Sequence, residues 1–170
     1  MKNISFRDDV LPLKDALFRL ALRITLSREE AEDIVQDTLI KVWNKRDSWQ
    51  EIDSIEAFSM TVCRNLSLDR IKLGDANNAS LDQSNAEKPA ATLTPLERMQ
   101  QKDSVQIVRR IIDGLPEKQR SCIQLRDIEG KQYKEIAQIL GISEDQVKVN
   151  IYRARQTVRQ QYLKYDEYGL

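Results

Sequence analysis

Apolar residues recur at three- and four-residue intervals through two separate stretches of this chain, a period that admits little besides helix. Leu13, Leu17, Leu20, Ala21 and Ile24 make one such face. Ala31, Ile34, Val35, Thr38, Leu39 and Val42 make a second, and Asp33, Gln36, Asp37 and Lys41 fall on its opposite side. Ser27 with Glu30 three places on is a capping box that starts this second helix. After a loop near Asp47–Asp53, a third helix runs from about Ser54 to Lys72, with Ile55, Phe58, Val62, Leu66 and Ile71 inward. Five glycines and four prolines in 170 residues are too few for a turn-rich β architecture.

Residues 74–94 break the period. Asn, Asp, Ser and Gln are scattered there with few large apolar side chains, too little to offset the entropy of ordering the backbone, so a flexible linker is expected. Thr94-Pro95-Leu96-Glu97 restarts helix with proline at the first helical position. Pro116 opens another helix after Asp113-Gly114-Leu115, and Tyr133–Leu140 forms a short one with Ile136, Ala137, Ile139 and Leu140 for the core. Gly141 ends it in a positive-φ turn, and Ser143 with Gln146 caps the next helix. Small Ala137, Gly141 and then Val147 is the spacing of a helix-turn-helix. The expectation is an all-α chain of two small helical domains, 1–73 and 95–170, joined by a flexible linker at 74–94.

Composition removes several function classes. With no histidine, Ser-His-Asp and Cys-His catalysis and most zinc sites are out, so no catalytic residue, metal or cofactor is assigned. Cys63 and Cys122 have no C-x-x-C partner and fit two buried thiols in a reducing cytoplasm. No secretory leader or membrane-length apolar run is evident, and a cytoplasmic location is expected.

Net charge is zero, yet its distribution is uneven. Residues 1–90 carry 13 basic and 16 acidic side chains, and residues 91–170 carry 14 and 11. From Gln146 to Lys164 there are five cations and no acid. With Val147, Ile151, Ala154 and Val158 inward, the last helix turns Lys148, Asn150, Tyr152, Arg153, Arg155 and Arg159 outward. Such a helix fits the major groove: Lys148, Val149, Tyr152 and Arg153 are the base-reading candidates, and Arg155, Arg159 and Lys164 suit phosphates. From these residues alone a stand-alone helix-turn-helix regulator and a helical interaction protein that never touches DNA both remain open.

Three stretches resemble a bacterial RNA polymerase sigma factor of the sigma-70 superfamily, in the extracytoplasmic-function (ECF) group. Ala31 through Trp43 looks like the polymerase-binding helix. Ala57-Phe58 with Val62 through Arg70 looks like the helix that reads the −10 element. Leu115 through Arg120, with Tyr133 to Arg159, looks like the −35-reading domain. The resemblance implies a promoter-specificity subunit rather than an enzyme. Its partners would be core RNA polymerase (the β′ clamp helices and the β subunit), promoter DNA and an anti-sigma factor, with no small-molecule substrate. Asp33, Gln36, Asp37 and Lys41 match positions that dock on the β′ clamp helices. Asn65 and the Asp47–Asp53 loop match the part that captures an unstacked base, where Trp49 either stacks on that base or closes the core. Lys148, Val149, Tyr152 and Arg153 match −35-contacting positions. The chain departs from the family at Phe58-Ser59-Met60-Thr61, which is poorer in aromatics, and at Val149-Asn150, where Ser-Arg is common.

Overall fold

The computed structural model describes residues 3–79 and 104–167, and no strand occurs among them. Short turns at Phe6–Val10 and Leu11–Leu13 lead into α1 (Lys14–Thr25). α1 stops at Leu26, which takes a left-handed backbone (φ 58°) and donates its N–H to Leu22 O at 2.8 Å. Ser27 then caps α2 (Arg28–Asn44), its Oγ accepting from the Glu30 N–H at 3.3 Å. The reciprocal half of the expected capping box is absent. Glu30 turns its carboxylate to Arg70, and the Ser27 N–H donates to Thr25 Oγ1. Either bond to the carboxylate would be charge-assisted, but the guanidinium brings a full opposite charge as well.

Ser54 Oγ accepts from the Ala57 N–H and opens α3 (Ile55–Ala79). This helix passes Gly74, where the linker was expected to start, and continues to Ala79. Residues 80–94 and the helix start expected at Thr94–Glu97 lie outside the described residues. The inward face of α3 also differs from expectation. Ala57, Ser59, Met60, Cys63, Arg64 and Ser67 are buried, while Ile55, Phe58, Val62, Leu66 and Ile71 are half-buried. α3 is covered from two sides, by α1 and α2 on one and by the second unit on the other. Small residues along it let backbones approach closely from both.

The second unit comprises α4 (Ser104–Asp113), α5 (Glu117–Ile123, continued as a wider turn over Gln124–Ile128), α6 (Tyr133–Leu140) and α7 (Glu144–Glu167). Pro116 precedes α5 as expected. Gly141 is left-handed (φ 68°, ψ 36°), and its N–H bonds Ala137 O at 2.9 Å. The Ser143 capping box is complete: Ser143 N–H donates to Gln146 Oε1 (3.0 Å) and Gln146 N–H to Ser143 Oγ (3.1 Å). Val147, Ile151 and Ala154 are buried against α6 and α5, so α6 and α7 form the anticipated helix-turn-helix.

The two units pack against each other, α3 on α6 and α1 on α5. One apolar cluster crosses the boundary, running from Leu17, Leu20, Ile34 and Met60 to Leu125, Ile136 and Ile139. Burying a side chain of this size contributes about 1.5–3 kcal/mol. Ion pairs frame the contact. The Arg64 fork meets Glu117 at 3.0 and 3.1 Å, with its side chain only 7% exposed. Arg23 reaches Asp113 (2.5 Å) and Gln124 Oε1 (3.1 Å), Arg19 forks onto Glu129 (2.6 and 2.8 Å), and Lys131 pairs with Glu56. Arg120 donates to Ile24 O across the boundary at 3.1 Å. Arg120 Nε and Gln124 Nε2, both buried here, find no partner among the described residues. An unsatisfied buried donor costs about 1–3 kcal/mol, so this contact is closed but not optimised. Among the described residues, no helix is long and apolar enough to cross a membrane.

Candidate functional site

On α2, burial of Ile34, Val35, Thr38 and Val42 rotates Asp33, Gln36, Asp37 and Lys41 outward; Gln36 and Lys41 are exposed. The acids are not solitary. Arg70, from α3, reaches Glu30, Asp33 and Asp37, the last at 3.4 Å. Hydrogen bonds to Asp33 and Glu30 raise the Arg70 pKa above its ordinary value. One cation held among three carboxylates leaves a surface net charge of −2, with Asp33 and Asp37 about half exposed. Such a stripe suits a basic partner. Beside it lies an exposed apolar patch, where Trp43 meets Phe6 edge-on at 5.3 Å and Ile40 is 57% exposed.

Trp49 is corrected by the structure. It is buried at 6% exposure, donates its indole N–H to Val42 O at 3.0 Å, and packs edge-on against Trp43 at 6.2 Å. Its ring closes the small core of Val10 and Val42 and offers no open face for a base. Asn65 is exposed on α3, next to buried Arg64. Asp47, Ser48, Glu51 and Asp53 are exposed on the short helical turn and the bend that precede α3.

At 100° per residue, the buried face of α7 centres on Val147, Ile151 and Ala154, so Val149, Tyr152 and Arg153 form the opposite ridge. All three are exposed, Tyr152 at 62%. Lys148, Arg155 and Arg159, spaced by seven and four, share one flank of that ridge. Lys148 stands 5.8 Å from the Tyr133 ring, whose face also carries Arg126 at 4.5 Å. Arg155 is gripped by Asp127 through two bonds of 2.5 and 3.1 Å, which raises its pKa. Arg159 borders an apolar hollow lined by Val108, Ile112, Ile128 and Val158. Asn150 turns back to Gln146 O at 2.8 Å.

Four participants were not legible in the sequence. Arg70 and Asp127 pair with site residues from other elements, and Tyr133, with Arg126 on its ring, stands by Lys148; no local pattern marks these pairings. A capped helix-turn-helix with an exposed basic ridge, on a unit separate from an acidic helix stripe, defines a bipartite DNA-recognition protein. The sigma-70 region 2 family matches residues 10–75, and the sigma-70 region 4 family matches residues 106–158. The ECF RNA polymerase sigma factor SigL of Mycobacterium tuberculosis is 31% identical over 146 residues, covering 84% of this chain and 80% of that protein. SigE of Mycolicibacterium smegmatis is 29% identical over 152 residues; the match takes in 89% of this chain but 59% of SigE. Among solved structures, the sigma factor RpoE of Bartonella quintana, in complex with the anti-sigma factor NepR, superimposes with a TM-score of 0.72 at 28% identity, over 95% of this chain and 98% of that one. The chain therefore belongs to the sigma-70 family of RNA polymerase sigma factors, in the ECF group.

Proposed function

We propose that this chain is a dissociable specificity subunit acting in the cytoplasm, which directs core RNA polymerase to promoters and leaves catalysis to the polymerase. The observation that carries this reading is the α7 ridge. Val149, Tyr152 and Arg153 stand clear of the protein on a helix anchored by a complete cap and a left-handed glycine. That ridge would read the −35 element, with Lys148 and Arg159 beside it on phosphates. Arg155 would join them only after leaving Asp127. The α2 stripe of Asp33, Gln36, Asp37 and Lys41 would dock on the β′ clamp helices, and Asn65 with the exposed turn before α3 would meet the −10 strand. Trp49 takes no part in that contact.

In the observed arrangement, α3 and α7 are separated only by α6, which packs on both. Two helix-packing distances amount to at most about 20 Å. Promoter elements named for positions 25 base pairs apart are roughly 85 Å apart along B-DNA, at 3.4 Å per step. Simultaneous recognition therefore requires the units to separate, with the segment between them as tether. Tethering raises effective concentration, so that two weak contacts become one selective one. By likeness to the Bartonella complex, an anti-sigma factor is the expected antagonist. Run-off transcription from a promoter library with purified core polymerase tests the reading. Added chain should create new start sites, and an unchanged start-site profile would refute it.

A further inference from the structure

The ion pairs that cross the boundary between the units run mostly one way, although Arg120 of the second unit also lies there, on Ile24 O. In three of the four such pairs among the described residues, the first unit supplies the cation and the second the anion: Arg19 with Glu129, Arg23 with Asp113, and Arg64 with Glu117. Only Glu56 with Lys131 runs the other way. Arg19 and Arg23 lie one turn apart on α1. Arg64 lies on α3, immediately before exposed Asn65. We infer that Arg19, Arg23 and Arg64 form a phosphate-binding face of the first unit, and that Glu129, Asp113 and Glu117 occupy it in place of DNA while the units are closed.

The chemistry of the pairs supports this. A guanidinium fork donates to the paired oxygens of a carboxylate or a phosphate in the same two-point geometry. Arg64 is seated in that way, while Arg19 brings Nε and Nη2 onto Glu129 Oε1 at 2.8 and 2.6 Å, with Oε2 at 3.2 Å from each. Taking arginines out of water is costly, and the apolar cluster that crosses the same boundary already holds the units together, so the ion pairs are not needed for that. Ion pairs have a different property: their cations can pass from one anion to another without an unpaired intermediate. Opening of the units removes three carboxylates from Arg19, Arg23 and Arg64, and the DNA that draws the units apart brings phosphates to replace them. Asn65, assigned to the −10 strand, follows Arg64 on α3 about 100° round the helix, so the freed face borders that contact. This inference rests on the proposed function only in requiring that the units separate on DNA.

The test uses the sign of two effects. Arg19→Gln and Glu129→Gln break the same ion pair, and so do Arg64→Gln and Glu117→Gln. The full-length chain is titrated with a labelled mixed-sequence duplex of promoter length over a range of salt concentrations. The carboxylate variants should bind about threefold to tenfold tighter, because they free an arginine. The arginine variants should bind weaker by a similar factor and lower the salt slope by about 1 each. A pair serving only to hold the units together would shift both members in the same direction, and that result, or no change in either, overturns the inference. The Arg19 side chain is 47% exposed but that of Glu129 only 4%, so each variant is first checked by a thermal melt, and Glu129→Gln, which strands no buried charge, decides the matter if an arginine variant misfolds. Wild-type chain with core polymerase is run in parallel. Failure there to select promoters would remove the proposed function, while opposite signs within the pair would still establish the arginine face.

Discussion

Replacing Asp37 with lysine separates docking from folding, and the structure sets the size of both effects. Asp37 lies 3.4 Å from Arg70, with the two side chains 47% and 31% exposed. Losing an ion pair this open costs about 0.2–1 kcal/mol. Reversing the charge adds a repulsion of about 1–4 kcal/mol at 4 Å for surface-like dielectrics, and screening and side-chain movement reduce this toward the lower end. Arg70 keeps Glu30 and Asp33 as partners, so no buried charge is stranded. The total, about 2 kcal/mol, is well within the 5–15 kcal/mol that holds a domain folded. It should lower the melting temperature by only several degrees. Against a basic surface, however, a like charge costs several kcal/mol, and about 3 kcal/mol is roughly a hundredfold in Kd. Titrating labelled chain with core polymerase, alongside a thermal melt, reads both numbers. Unchanged affinity with an intact fold would remove α2 as the docking face. Unfolding of the variant would refute the energetics given for the Arg70 cluster.

Further outcomes are expected elsewhere in the chain. At Gly141 an added Cβ meets nothing within 4 Å, so Gly141→Ala should cost only the left-handed backbone penalty of about 1–2 kcal/mol, read as a lower urea midpoint at constant slope; Gly141→Asn should cost less. Arg153→Ala should reduce discrimination among −35 sequences by about 1–3 kcal/mol, whereas Arg155→Ala, which leaves Asp127 without its partner, should weaken all sequences alike. A uniform loss with Arg153→Ala would show that it holds phosphate instead. Burial pushes the Cys63 thiol from an ordinary value of 9.0 to about 12 and that of Cys122 to about 11. The unfolded chain therefore loses these protons first on an alkaline titration. Their contribution to stability is complete below pH 9 and is lost as pH rises through 11 and 12. Denaturant midpoints from pH 8 upward should fall less steeply for Cys63→Ala, and parallel profiles would contradict the assignment.

What was legible in the residues alone is what local chemistry decides. Ser143, Gln146 and Gly141 specify where two helices start and stop, because caps and positive-φ turns are satisfied within a few residues. The period of Val147, Ile151 and Ala154 fixes which side chains of α7 face outward, because burial of one stripe exposes its opposite. The α2 stripe follows by the same reasoning. Trp49 was ambiguous because an indole serves equally in a core or under a base, and only the position of Val42 O settled it. The inward face of α3 was misjudged because that helix has two covered sides, and a single-stripe reading finds one. Tertiary structure alone brought Arg70 to Asp37, Arg155 to Asp127, and Arg64 to Glu117. It also decided that the two units meet at all. These partners stand 28 to 53 positions apart, and Arg23 and Asp113 stand 90 apart. Charge pairing carries no sequence period, so nothing along the chain says which carboxylate an arginine will find until the helices have packed.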